Sequence, residues 1–113
     1  MDSMREAGRV PGSGTAPRWT FFTNHFLVLA SVAGNPDLRV RDIAVLVGIT
    51  ERATQAILSD LVGDGYIERI RIGRRNRYTI RRGAAFRHPL TRNTTIGEVI
   101  DVLHSNRPTA ATG

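Results

Sequence analysis

The 113 residues suffice for one domain with a modest core, and leave no room for a second domain devoted to sensing. No apolar run approaches the roughly 20 residues of a membrane-spanning helix, and the opening MDSMREAGRVPGSG lacks the apolar segment of a signal peptide, so a cytoplasmic protein with no membrane partner is expected. A formal net charge of +6 favours a polyanionic partner, while the absence of cysteine removes disulfides, thiol switches and the commonest zinc sites.

His25, His88 and His104 stand singly, without a second ligand at helical spacing, so neither a metal nor another cofactor is expected. All 16 basic residues are arginine, and nine of them fall between Arg69 and Arg92 with no acid among them. A GC-rich coding bias would account for the missing lysines, and a solvated face for some of the charge. Neither explains the clustering, which points to nucleic acid.

In chain order, residues 1–18 are rich in Gly, Ser, Pro and Ala and read as a disordered arm. Trp19, Phe21 and Phe22 precede a helix with Thr23 or Asn24 as N-cap, HFLVLASVA as body and Gly34 in the C′ position. That helix is apolar on nearly every side, which suits a central helix or one covered by a partner subunit. Asn35, Pro36 and Asp37 turn the chain, and residues 38–40 alternate like a very short strand. A second helix is expected over about residues 41–47, with Asp42 in its first turn and Ile43, Ala44, Leu46 and Val47 as its apolar face.

Gly48 stops that helix, Ile49 anchors the turn and Thr50 caps the next helix, about residues 51–62. Its inward stripe is Thr54, Ile57, Leu58 and Leu61, with Thr54 standing where an aliphatic side chain would pack more tightly. The outward stripe is Arg52, Gln55, Ala56 and Ser59. Arginine can bond guanine O6 and N7, glutamine can bond adenine N6 and N7, and the small residues permit close approach to a major groove. Thr50 and Glu51 stand at the helix start, within reach of a phosphate or a cytosine amino group. Any surface helix can carry such residues, so this stripe gains weight only from the basic hairpin that succeeds it in the chain.

After Asp64-Gly65, two strands are expected around a turn at Gly73-Arg74-Arg75-Asn76. Ile70, Ile72, Tyr78 and Ile80 would face the helices and the arginines would face outward, with Arg71, Arg74, Arg75, Asn76 and Arg77 placed toward a minor groove or its phosphates. Residues 81–94 read as a connector anchored by Phe86 and Leu90; the triplet Arg87-His88-Pro89 has no evident role. Thr95 and Glu98 fit a capping box, opening a helix over residues 95–104 with Ile96, Val99, Ile100 and Leu103 on one stripe. So short a helix must dock, and a partner subunit is the expected surface. Residues 105–113 read as a tail.

The order RDIAVLVGIT, then ERATQAILSDLVGDGYIERI, then IGRRNRYTI resembles the winged helix-turn-helix of bacterial and archaeal transcription regulators, similar to the MarR and ArsR groups. The resemblance runs from about Asn24 to Ile80, within a DNA-binding domain placed at residues 19–80, and implies the fold class: mainly α with a small β-hairpin wing, plus a C-terminal dimerisation helix. The cysteines through which the ArsR group binds metal are absent, so metal sensing is not implied. The resemblance implies a homodimer on a palindromic site in double-stranded DNA, with Thr50, Glu51, Arg52, Gln55, Ala56 and Ser59 in the major groove. Trp19, Phe22, Phe26, Ile96, Val99, Ile100 and Leu103 are the candidate dimer contacts, where a small-molecule effector could also act. The alternatives are a winged-helix protein-interaction module and a non-specific nucleic-acid binder. No constellation of nucleophile, base and orienting group suggests an enzyme.

Overall fold

Thr23 decides where the first helix begins. In the computed structural model, which describes residues 20–105, its hydroxyl oxygen accepts the Phe26 N–H at 3.1 Å and caps α1, Asn24–Gly34. There follow α2 (Val40–Val47), α3 (Glu51–Gly63), β1 (Ile67–Ile72), β2 (Arg75–Ile80) and α4 (Ile96–Ser105). Trp19, the proposed arm and the tail beyond Ser105 lie outside the described residues. The architecture is a winged helix: a helical core and one two-stranded antiparallel hairpin.

The apolar character of α1 reflects its central place, since it touches α2, α3, β2 and α4. Val28, Leu29 and Val32 are its buried stripe. Gly34 does not take the C′ role. It stays helical, and the chain leaves through extended Asn35, whose N–H donates to the Ser31 carbonyl at 3.1 Å. Nor do residues 38–40 form a strand. Arg39 is the N-cap of α2 instead, its N–H donating to the Asp42 carboxylate at 3.2 Å. The reciprocal half of a capping box is missing, because an arginine side chain has no acceptor.

On α2 the buried face is Ile43 and Ala44, flanked by half-buried Val47. Leu46 is 65% exposed, contrary to the expected apolar face. At about 100° per residue, positions 43, 44 and 47 share one face and 46 falls outside it. Gly48 adopts φ +88, and the Ile49 N–H reaches back to the Ala44 carbonyl at 3.0 Å, closing the turn.

The Thr50 hydroxyl accepts the Ala53 N–H at 3.0 Å and opens α3. Thr54, Ile57, Leu58 and Leu61 face inward as the periodicity requires. Thr54 is fully buried, and its hydroxyl donates to the Thr50 carbonyl at 2.8 Å, so its polar group is satisfied within the helix. The helix ends with Tyr66 N–H on the Leu61 carbonyl at 2.9 Å and Gly65 at φ +84, a Schellman arrangement.

The hairpin differs most from expectation. Its turn is two residues, Gly73-Arg74, with Ile72 paired to Arg75 and Asn76 paired to Arg71 inside the ladder. Gly73 has φ +63 and Arg74 does not enter the left-handed region, which fits a type II′ turn. This register puts Ile67, Arg69, Arg71, Asn76, Tyr78 and Ile80 on one face. Ile67 and Tyr78 are buried in the core there. Ile70 and Ile72 lie on the opposite face, 41% and 55% exposed, so the expected division into inward isoleucines and outward arginines does not hold.

Residues 81–95 make a loop closed on itself by a bridge between Ala85 and Thr95. Phe86 lies against Tyr66, ring centroids 6.4 Å apart. Arg87 has a role after all: its guanidinium donates to the Asp64 carbonyl at 3.2 Å and sits 5.8 Å from the centre of the Tyr66 ring, clasping the end of α3. The Thr95–Glu98 capping box forms in both directions, Thr95 N–H to Glu98 at 2.8 Å and Glu98 N–H to Thr95 at 3.3 Å.

The helix α4 docks on its own domain. Ile96 and Ile100 are 0% and 2% exposed in the same core as Val28, Leu58 and Ile67. Both therefore leave the set of dimer contacts expected from the sequence, because side chains enclosed by their own subunit present no surface to another. Gly97 permits the approach: a Cβ there would stand 3.0 Å from the Arg82 carbonyl oxygen, whose partner is the Gly97 N–H. Gly97→Ala is expected to destabilise the chain by about 1–3 kcal/mol through overpacking. Chemical denaturation measures it, and an unchanged midpoint would contradict the close contact.

Candidate nucleic-acid interface

The residues on α3 predicted to meet DNA are all exposed: Glu51, Arg52, Gln55, Ala56 and Ser59, with Thr50 at the cap. The local reason is the inward stripe. Once Thr54, Ile57, Leu58 and Leu61 are buried, helical periodicity leaves positions 52, 55, 56 and 59 on the far side. Among the described residues, the side chains of Arg52, Gln55 and Ser59 take no hydrogen bond or ion pair. Thr50 differs. Its oxygen is committed to capping, although its hydroxyl proton remains available to an acceptor.

The wing residues separate into two groups. Arg74 lies at the turn, exposed and without a partner among the described residues. Arg71 donates to the Gly73 carbonyl at 3.0 Å and braces the turn. Arg75 and Arg77 reach the α1–α2 turn: Arg75 donates to the Asp37 carbonyl, and Arg77 pairs with the Asp37 carboxylate at 3.1 Å. Asn76 stands between them in β2.

The cluster of nine arginines is thus much less of a bare positive surface than its sequence suggests. Arg77, Arg81, Arg82 and Arg87 pair with Asp37, Glu68, Asp101 and Asp64, and Arg69 covers the Tyr78 ring at 5.8 Å. All four acids lie outside the 69–92 window, so the sequence conceals the neutralisation. These pairs are exposed, and such pairs contribute only about 0–1 kcal/mol each; they are a weak restraint on arginines that meet a polyanion. Sequence does not single out Asp37, since nothing in its local pattern links it to the wing.

The remaining expected dimer contacts lie on or next to α1 and on α4. Phe22 stacks on Phe26 at 4.8 Å and is 46% exposed. Val99 and Leu103 are half-buried on α4. No group of three or more potential ligands that could hold a metal ion occurs among the described residues. No helix among them is long and apolar enough to cross a membrane.

Comparison with known proteins agrees with this geometry. A family model described as MarR family matches residues 22–77. A solved structure described as the predicted DNA-binding transcriptional regulator from E. coli superposes with a TM-score of 0.53 at 18% identity, covering 94% of each chain. That likeness is one of fold. No curated protein matches the chain. The matched stretch runs from Phe22, ahead of α1, to Arg77 in β2; over it the chain is similar to the MarR family, and its fold is a winged helix.

Proposed function

We propose that this chain is a sequence-specific, double-stranded-DNA-binding transcription regulator that acts as a homodimer on a palindromic operator. The observation that carries the reading is the outward face of α3, where Arg52, Gln55, Ala56 and Ser59 are exposed and the polar side chains are uncommitted. The MarR family match over residues 22–77 and the likeness in fold to a predicted DNA-binding transcriptional regulator from E. coli support it. Base discrimination falls to Arg52 and Gln55, with Glu51 and Thr50 at the helix start. Arg74 supplies a sequence-independent contact to the backbone or minor groove.

A two-fold dimer would put its recognition helices in major grooves about one helical turn, roughly 34–36 Å, apart. With Ile96 and Ile100 enclosed, the dimer contacts proposed are Phe22 and Phe26 from α1 with Val99 and Leu103 from α4. The reading assigns binding and no catalysis.

Selection of bound sequences from a random duplex pool at moderate salt tests the proposal. The expected product is an imperfect palindrome with half-sites about 10 base pairs apart. A pool that stays random after enrichment would leave only the non-specific alternative, and no enrichment at low salt would favour the protein-interaction module.

A further inference from the structure

A second polar site lies away from the outward face of α3. Between the start of α2 and strand β2 there is a cleft of about 290 Å³, lined by Leu38, Arg39, Val40, Arg75, Asn76 and Tyr78. Two arginines and an asparagine border a floor of apolar side chains. The charges are incompletely balanced. Arg75 donates to the Asp37 carbonyl and not to its carboxylate, which Arg77 holds. The Arg39 guanidinium has no acidic partner among the described residues. Asp42 is the nearest acid on α2, and it engages the Arg39 backbone N–H.

Tyr78 supplies the independent observation. It is 6% exposed, a core residue, and its hydroxyl has no hydrogen-bond partner among the described residues. Yet no fully enclosed side-chain polar atom among them lacks a partner. The Tyr78 hydroxyl is therefore not fully enclosed, and Tyr78 is one of the residues that line the cleft. A buried tyrosine with an unbonded hydroxyl that lines the same cleft as two arginines fits the recognition of an oxyanion, which can accept from all three.

We infer that this cleft binds one phosphodiester group of the DNA backbone, held by Arg39, Arg75 and the hydroxyl of Tyr78, with the N-terminal dipole of α2 adding to the field. The inference rests on the DNA-binding reading for its choice of phosphate source. In a helix-turn-helix the first helix crosses the backbone beside the groove that the second helix enters, so a backbone phosphate is the anion that the start of α2 would meet. The site differs from both the α3 face and the Arg74 tip. It joins the helix-turn-helix to the base of the wing, so one phosphate would fix their relative position on the duplex. The N-terminus of an α-helix and its uncommitted amides favour such a group.

Two full-length variants test the site, Arg39→Gln and Tyr78→Phe, with circular dichroism and thermal unfolding confirming the fold. On duplex DNA, Arg39→Gln should lower the slope of log affinity against log salt by about 0.9, the loss of one phosphate contact. Its loss of affinity should be the same on selected and scrambled sequences. Tyr78→Phe should weaken both about threefold to tenfold with no change of slope. In a second arm, inorganic phosphate titrated into the free chain should shift the NMR signals of residues 39–40 and 75–78 in the parent and not in Arg39→Gln. If DNA binds and neither variant changes affinity or slope, the cleft is not a phosphate site. If the parent binds no DNA yet phosphate shifts the cleft signals, the anion site stands with a diffusible anion as its ligand, and the DNA-binding reading fails. If neither DNA nor phosphate affects the cleft, both are overturned.

Discussion

Ile100→Ala should lower the stability of the chain by about 2–5 kcal/mol, the usual cost of opening a cavity in a packed interior. Ile100 is 2% exposed and belongs to the same buried cluster as Val28, Leu58 and Ile67. The helix that carries it, α4, has 10 residues, too few to persist in water alone. Its stability comes from docking, and the surface it docks on is its own subunit. The difference between variant and parent should therefore be the same at low and at high protein concentration, read from denaturant midpoints with an unchanged slope. A residue that acted only between subunits would shift the concentration dependence of association and leave the folded monomer as stable as before. That second result would return Ile100 to the dimer interface.

Arg52→Ala and Gln55→Ala should each cost about 1–3 kcal/mol on the preferred DNA sequence and far less on a scrambled duplex. Both side chains are exposed and uncommitted, so truncation removes no intramolecular bond and stability should change by less than about 0.5 kcal/mol. That separation makes the readout clean: a loss of affinity cannot be ascribed to unfolding. Arg74→Ala is the control, because a contact from the wing tip to phosphate weakens every sequence alike. Competition binding against selected and scrambled DNA measures all three. Equal losses on both duplexes for the Arg52 and Gln55 variants would remove base reading from α3 while keeping its contact with DNA.

The elements that sequence places well are those whose signals are local. Thr50 as cap, Gly48 as stop and the Thr95–Glu98 capping box each depend on atoms within a few residues, and all three form as expected. The stripe of α3 is legible because only one assignment of a 3.6-residue period buries Ile57, Leu58 and Leu61 together. The hairpin departs from expectation through parity. A turn of two or of four residues pairs even-numbered positions with odd, so Ile70 and Ile72 cannot share a face with Tyr78 and Ile80. Ile67, Tyr78 and Ile80 together set the inward face, and the two isoleucines nearer the tip are left outside.

The candidate interface is legible on α3 and only in part on the wing. Whether an arginine is free depends on acids far away in sequence, and no local pattern pairs Asp37 with Arg77 or Asp101 with Arg82. The docking of α4 escapes sequence for a related reason. An amphipathic stripe shows that a helix has a face to cover, and the covering surface is a matter of tertiary geometry. Gly97, whose lack of a side chain admits the Arg82 carbonyl, is the available clue.

Asp37 does in this chain what a third strand would do at the flank of the hairpin. With residues 38–40 folded as a cap and a helix start, no ladder of backbone bonds holds β2 to that segment. One carbonyl and one carboxylate of a single turn residue hold two arginines in its place. Such a fastening behaves as a latch and not as a weld. The ion pair is 44% and 65% exposed at its two ends, so releasing it costs no more than about 1 kcal/mol. Its release leaves Arg75 on the Asp37 carbonyl and Ile67 and Tyr78 seated in the core.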